Sequence, residues 1–293
     1  MIRETGETRE SAESHARGLF LEAAPGQRFG LFHPPAGACR GAILYVHPFG
    51  DEMNKSRRMA ALQARALAAA GFGVLQLDLY GCGDSSGEFR DARWTLWKQD
   101  LAAASAWLRA RLGQPVSVWG LRLGALLALD YAHDSKDTAA PVAALVLWQP
   151  VLSGSTFLTQ FLRLRVAGDM LAQEPGQDAS ATGTTALRAA LAAGEILEIG
   201  GYELAPTLAA AIDAQDAGVL LPACPVAWFE VVVQDGRQIP ARSAKLQADW
   251  QARGIDLKAR VVAGKPFWGT QEITESAALV DATLAALCEA ADA

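Results

Sequence analysis

The stretch Val116-Ser117-Val118-Trp119-Gly120-Leu121-Arg122-Leu123-Gly124-Ala125-Leu126-Leu127 decides the fold of this chain. Its β-branched start predicts a buried strand, and the apolar run after Gly124 is typical of a helix. Glycines on both sides of a central residue permit a turn so tight that Cβ atoms there would collide with the adjoining strand and helix. The pattern predicts a strand, a sharp turn and a helix, with Arg122 presented at the turn.

Short apolar strands alternate with helical patterns on both sides of this turn. Residues 18–24 and 27–33 alternate apolar with polar side chains around Pro25-Gly26, which predicts an opening hairpin. Further strands are predicted at residues 42–46, 74–77, 145–148, 226–233 and 257–262, and helices from about Ser56, at 97–108, at 240–253 and at 274–291. The alternation predicts an α/β fold, in which helices cover both faces of a mainly parallel sheet. Ligands bind such sheets outside the carboxyl ends of the strands.

The alternation breaks between residues 151 and 221. This segment is mostly helical in pattern and contains a patch rich in Gly, Ser and Thr at residues 179–185. We therefore expect four segments. They are a disordered amino terminus at 1–17, the first part of the core at 18–150, a helical lid or cap at 151–221, and the second part of the core at 222–293.

Composition limits the classes of partner. The chain has 293 residues, 51% of them apolar, and a formal net charge of −6, which argues against nucleic acid as a general partner. No apolar run is long enough to span a membrane, and residues 1–17 lack the apolar block of a signal peptide. The four cysteines are scattered and no His/Cys/Asp set has metal-ligand spacing. The sequence predicts a cytoplasmic protein without metal or cofactor.

Three motifs lie where the carboxyl ends of the predicted strands converge. They are His47-Pro48-Phe49-Gly50, Asp78-Leu79-Tyr80-Gly81-Cys82-Gly83-Asp84-Ser85-Ser86-Gly87 and the Gly120–Gly124 pentapeptide. They resemble, respectively, the oxyanion loop, the Asp-x-x-Gly-x-Gly-x-Ser-x-Gly loop and the nucleophile elbow of the α/β-hydrolase superfamily. The resemblance covers nearly the whole chain and implies the α/β-hydrolase fold with a lid insertion.

Several segments resemble one family more narrowly, the exosortase A system-associated hydrolase 2 family. They are residues 47–59, Gly120-Leu121-Arg122-Leu123-Gly124-Ala125, Trp148-Gln149-Pro150-Val151, residues 157–165 and Pro266-Phe267-Trp268-Gly269-Thr270-Gln271-Glu272-Ile273. This resemblance implies a role in bacterial exopolysaccharide production coupled to the sorting of carboxy-terminally tagged surface proteins. The fold behind the word hydrolase does not fix an activity.

The superfamily's serine chemistry requires a nucleophile, an acid and a base, in the chain order Ser, Asp or Glu, His. Arg122 stands at the nucleophile position, and guanidinium is neither a nucleophile nor a base. Asp235 suits the acid position after the strand at 226–233. No histidine follows His133, and Gly264-Lys265-Pro266-Phe267-Trp268 occupies the place of the base. Two of the three members are therefore missing.

Arg122 has two interpretations at the sequence level. A guanidinium beside a helix amino terminus could bind a carboxylate or phosphate. Alternatively it forms an internal ion pair with Glu52, Asp78, Asp84 or Asp235. The two can alternate, with a protein carboxylate in one state and a ligand in the other. The predicted ligand-binding residues are Arg122, Leu123, His47, Phe49 and Asp84.

The remaining candidates for catalysis are weak. We expect His47 to hold the oxyanion loop in place through its ring nitrogens rather than to act as a general base or metal ligand. Cys82 is the one cysteine on a loop near the site, and a Cys82–His47 pair is a conceivable nucleophile and base. Nothing in the sequence indicates a lowered thiol pKa for Cys82.

These observations leave three hypotheses for the function. The first is a non-hydrolytic protein that binds a small anionic or acylated ligand, or a protein partner of the exopolysaccharide and exosortase system. The second is an ester or thioester hydrolase, or an acyltransferase, with the displaced nucleophile Cys82. The third is a structural subunit that docks through residues 151–221.

Overall fold

The structure, a computed structural model, describes residues 16–172, 183–234 and 236–292. Its core is an eight-stranded sheet made of β1 (Arg17–Glu22), β2 (Gln27–His33), β3 (Gly41–Val46), β4 (Phe72–Leu77), β5 (Val116–Leu121), β6 (Leu145–Trp148), β9 (Val226–Val232) and β10 (Leu257–Ala263). The strand order in the sheet is β1-β2-β4-β3-β5-β6-β9-β10. The hairpin β1–β2 is antiparallel, β2 pairs antiparallel with β4, and all later neighbours are parallel. The predicted α/β class and the opening hairpin are confirmed.

Helices cover both faces of this sheet. On one face α1 (Asp51–Ala69) and α8 (Ala277–Asp292) bury Met59, Leu67 and Leu279 against β3, β5 and β9. On the other face lie α2 (Trp94–Leu112), α3 (Leu123–Ser135) and α7 (Ala241–Ala252). Strands buried on both faces are expected to be apolar throughout, as β3 and β6 are.

The segment between β6 and β9 contains α4 (Gly154–Ala172), α5 (Thr184–Ala192), α6 (Pro206–Asp213) and a two-stranded hairpin, β7 (Leu197–Ile199) with β8 (Tyr202–Leu204). The sequence analysis did not predict this hairpin, because each strand has only three residues. Residues 173–182, which include part of the predicted Gly/Ser/Thr patch, lie outside the described residues, as do 1–15 of the predicted disordered terminus. Residue 17 of that predicted segment already belongs to β1. None of the helices in the described ranges has the length and apolar character of a membrane span.

The start of α1 differs most from its predicted position. The apolar periodicity predicted α1 from about Ser56, but the helix begins at Asp51. Gly50, with φ of 57°, turns the chain directly from the loop after β3 into the helix. Asp51 and Glu52 occupy the first turn, where the helix dipole favours acidic groups. This earlier start brings Glu52 next to the turn between β5 and α3.

That turn has the tight geometry that its glycines predict. A Cβ atom on Gly120 would lie 2.5 Å from the Cα of Ala125, inside any permitted contact. A Cβ atom on Gly124 would lie 2.5 Å from the carbonyl oxygen of Val46 and would also overlap that of His47. Because α3 starts directly against the end of β3, the turn has no freedom to move its central residue.

We predict that Gly124→Ala lowers the free energy of unfolding by about 2–4 kcal/mol, because the backbone of β3 cannot move away from the new methyl group. The matched control is Gly168→Ala in α4, where an added Cβ meets no atom of the described residues within 4 Å. The free energy of unfolding of that control should rise by about 0.5–1 kcal/mol, because alanine has a higher helix propensity than glycine. Urea unfolding of both variants measures the difference, and equal stabilities would contradict the packing assigned to the turn.

Candidate functional site

A cavity of about 280 Å³ lies at the carboxyl edge of the sheet, beside the turn between β5 and α3. Its walls come from the loops after β3, β5 and β10, from α1 and α4, and from the β7–β8 hairpin. Most of the wall is apolar, and it contains Phe49, Phe157, Phe161, Ile199, Tyr202 and Trp268. The charged groups on it are Arg122, Glu52, Lys55 and Asp51. The cavity is therefore an apolar space with its charges grouped at the elbow and the start of α1.

Arg122 is held in a strained conformation at the turn. Its φ of 57° and ψ of −119° are rare for a residue with a side chain, and such strain concentrates at functional sites. Its Nε donates to Glu52 Oε1 at 3.2 Å. Its guanidinium carbon lies 5.5 Å from the ring centroid of Trp268, within range of a cation–π interaction. Trp268 follows β10, where the superfamily carries its histidine. An arginine on an indole therefore replaces the serine and its base.

Glu52 pairs with Arg122 through only one of its oxygens. Its other oxygen, Oε2, is shielded from solvent and has no hydrogen-bond partner among the described residues. Burial raises the pKa of Glu52 above its ordinary value of 4.5, and the Arg122 charge offsets this only in part. The neighbouring Lys55 is paired with Asp51 at 2.8 Å. Of the carboxylates considered as partners of Arg122, Glu52 is the one that the structure places in contact, within the described residues.

His47 is fully engaged by the backbone. Its Nδ1 lies 2.7 Å from the carbonyl oxygen of Pro48, to which it donates, and its Nε2 accepts the N–H of Leu79 at 3.2 Å. Burial lowers the pKa of the ring, which favours the neutral form that this arrangement needs. The ring ties the loop after β3 to the loop after β4. No ring nitrogen is left to take a proton from a nucleophile.

Cys82 is not activated. It lines a small cavity of about 10 Å³ together with His47, but no hydrogen bond joins these two residues. Burial, reinforced by the negative charges of Asp78 and Asp100, raises the pKa of the Cys82 thiol well above its ordinary value. A thiol in this state is not a nucleophile at neutral pH. The structure therefore argues against the predicted Cys82–His47 pair.

The other predicted site residues have three different outcomes. Phe49 lines the main cavity. Leu123 is buried beside the small cavity with His47, so its side chain does not face a ligand next to Arg122. Asp84 is exposed and outside the wall of the main cavity, because its N–H turns back to Asp78 Oδ2 at 3.0 Å. Asp235 lies outside the described residues.

Some wall residues were not predicted as site residues. Trp268, Phe157 and Phe161 all line the cavity. The position of Trp268, where the base should stand, was the signal that could have identified it. Tyr202 belongs to the unpredicted hairpin, and its hydroxyl accepts a hydrogen bond from Asn54 at 3.2 Å. No sequence pattern indicated its location.

The arrangement suits binding of an anion. Arg122 provides a permanent positive charge, and the N–H groups of Leu123 and Gly124 precede the first bond of α3, which Ala125 donates to the Arg122 carbonyl at 3.1 Å. The apolar wall excludes water and so strengthens a charge interaction. Among the described residues around the elbow, no nucleophile is paired with a base.

Two curated relatives share modest similarity with part of the chain. "Protein ABHD12B" of Homo sapiens is 29% identical over 157 residues, which are 46% of this chain and 42% of that protein. "Lysophosphatidylserine lipase ABHD12" of Danio rerio is 26% identical over 157 residues, or 47% of this chain and 40% of that protein. The match therefore spans about two fifths of the length of each relative.

Solved structures resemble the whole chain in fold. A ferulic acid complex of Est1E from Butyrivibrio proteoclasticus has a TM-score of 0.63 at 13% identity, covering 92% of this chain and 96% of that one. A monoglyceride lipase from Saccharomyces cerevisiae with a substrate analogue has a TM-score of 0.61 at 15% identity, covering 97% and 96%. These similarities show the α/β-hydrolase fold.

The family to which the chain belongs follows from a match between its sequence and a family model. Residues 37–192, more than half of the chain, match the model of the family described as "Serine aminopeptidase, S33". The matched region contains β3, the loop after β4, the elbow and α4, and so most of the cavity wall. The chain belongs to the serine aminopeptidase S33 family and has the α/β-hydrolase fold.

Proposed function

We propose that this protein binds a small anionic ligand with an apolar acyl or aryl body and does not hydrolyse it. The observation that carries the proposal is Arg122, an arginine at the elbow position where the fold presents its nucleophile. Acyl transfer by this fold requires a nucleophile that a base deprotonates. Arg122 cannot attack a carbonyl, and Trp268 has no lone pair with which to take a proton.

The ligand class follows from the two halves of the cavity. A guanidinium binds carboxylates and phosphates through paired hydrogen bonds, and the Nη groups of Arg122 make no hydrogen bond to other described residues. The aromatic and aliphatic wall suits a flat or chain-like apolar body. Proteins similar in fold or sequence carry names that refer to ferulic acid, monoglyceride and lysophosphatidylserine. Those names support an aryl or acyl ligand.

The setting of this binding is a second part of the proposal. The sequence segments that resemble the exosortase A system-associated hydrolase 2 family support a role in exopolysaccharide production and surface-protein sorting. In that setting the protein would carry or sense an acidic precursor, or bind a protein of the same system, in the cytoplasm. Co-purification from a bacterium that encodes both systems tests this part, which fails if no component of either system is retained.

Binding is tested with ferulate and decanoate as probe carboxylates. We predict that each raises the Tm of the wild type, and that methyl ferulate, which lacks the charge, does not. Arg122→Met should abolish the shift, since it keeps the apolar stem and removes the guanidinium. Arg163→Met, which removes an exposed charge from α4, is the matched control and should keep it. Equal shifts for the wild type and Arg122→Met would contradict the proposal.

Catalysis is tested with a fluorophosphonate probe. We predict no labelling of the wild type and none of Arg122→Ser, because the new serine would face Trp268 and not a histidine. An active serine hydrolase labelled in parallel verifies the probe. Stoichiometric labelling of a serine in the wild type, blocked by an ester substrate, would show that the chain retains a hydrolytic site.

The internal ion pair makes a separate prediction about stability. Arg122→Met leaves the Glu52 carboxylate without its partner, so we expect a loss of about 1–3 kcal/mol at pH 8. Without Arg122 the folded-state pKa of Glu52 rises further above its unfolded value, and such a raised acid destabilises the fold as pH increases through that range. The loss should therefore shrink as pH falls towards 5. Urea unfolding across pH measures it, and a pH-independent loss would exclude Glu52 as its cause.

A further inference from the structure

Charges around the cavity balance before any ligand enters. Within the described part of the chain, the wall carries two cations, Arg122 and Lys55, and two carboxylates, Glu52 and Asp51. Lys55 is paired with Asp51 within α1, and Arg122 is paired with Glu52 across the elbow. An incoming anion would leave the apolar cavity with an uncompensated negative charge, which is costly where water is excluded.

Glu52 is the group that can remove this excess charge. It already occupies the place of a ligand carboxylate, with Oε1 on the Arg122 Nε and Oε2 shielded and unpartnered. A proton on this carboxyl restores neutrality. It also converts Glu52 from a competitor for Arg122 into a hydrogen-bond donor, and the ligand carboxylate can accept that hydrogen bond.

We propose that the cavity takes up a monoanionic carboxylate together with one proton from solvent, which Glu52 receives as the ligand replaces it on Arg122. This inference rests on the proposed binding function and adds its charge class and its control by pH. A doubly charged phosphate monoester would need a second compensating charge. The second cation of the wall, Lys55, forms an ion pair with Asp51 at 2.8 Å, so the charges of these two residues cancel.

The surroundings of Glu52 support its role as the proton acceptor. Burial raises the pKa of Glu52 in the free protein, while the charges of Arg122 and Lys55 act in the opposite direction. Ligand binding removes the contact with Arg122 and so favours the protonated carboxyl further. The Tyr202 hydroxyl on β8 also lines the cavity, and burial raises its pKa, so it stays neutral. Glu230 on β9 is buried, and its carboxyl group accepts a hydrogen bond from Trp228 at 3.0 Å. Burial raises the pKa of Glu230 as well, and the Arg122 charge partly offsets this. Glu52 is distinguished by its unpartnered oxygen and its direct contact with Arg122.

Isothermal titration calorimetry tests the proposal. Ferulate and decanoate are each titrated at pH 7 in buffers of different ionisation enthalpy, and the slope of the measured enthalpy gives the protons taken up. We expect uptake approaching one proton per bound ligand. As pH rises from the Glu52 pKa of the free protein to that of the complex, the Kd should increase by up to tenfold per pH unit. Phenyl phosphate should bind at least tenfold more weakly than ferulate.

The variant Glu52→Gln isolates the proton. Glutamine keeps the shape and an oxygen for Arg122 but has no charge, so we expect tighter binding, no proton uptake and no pH dependence. Glu195→Gln, an exposed position beyond α5, removes the same charge and should behave as the wild type. Proton uptake of zero in the wild type, or unchanged uptake in Glu52→Gln, would overturn this inference while carboxylate binding stands. Equally tight binding of phenyl phosphate would overturn the charge class. Absence of binding to the wild type would instead refute the proposed function.

Discussion

The close approach of α3 to the end of β3 is the constraint on which the site depends. Gly124 sits against the carbonyl oxygens of Val46 and His47, and Gly120 against the backbone of Ala125. These contacts hold Arg122, which lies between the two glycines, in a strained backbone conformation. Its side chain is directed over the carboxyl edge of the sheet. The same approach brings the loop after β3 into the cavity wall. The turn thus determines where the site lies, and the side chain at its centre determines what the site can bind or catalyse.

At the centre of the turn, the Arg122 guanidinium carries a positive charge at any ordinary pH. A serine would be neutral and would need a base, whereas guanidinium stays protonated and needs a counter-ion. The surrounding residues are consistent with this substitution. Trp268 supplies an aromatic face where a base would stand, and Glu52 supplies the counter-ion from the first turn of α1. His47 keeps a structural task, since it joins two loops through both ring nitrogens. The binding proposal connects these features.

Much of the fold could be predicted from the sequence, because buried parallel strands are continuous apolar runs and the elbow has a strict glycine pattern. The start of α1 could not, since Asp51 and Glu52 are charged and add nothing to the apolar periodicity from Ser56 onwards. That error concealed which of four acidic candidates contacts Arg122. The β7–β8 hairpin was missed because its strands are too short to show alternation, and Tyr202 with it. Asp84 was misassigned because its loop folds back on Asp78, which sequence spacing does not reveal.

A crystal structure of the protein soaked with ferulate tests the central claim most directly. The account predicts an intact ferulate in the cavity, with its carboxylate oxygens about 2.7–2.9 Å from the Arg122 guanidinium and its ring against the aromatic wall. It also predicts that Glu52 no longer accepts from the Arg122 Nε. A ligand bound elsewhere while Arg122 and Glu52 remain paired, or an acyl group covalently attached to the protein, would contradict it.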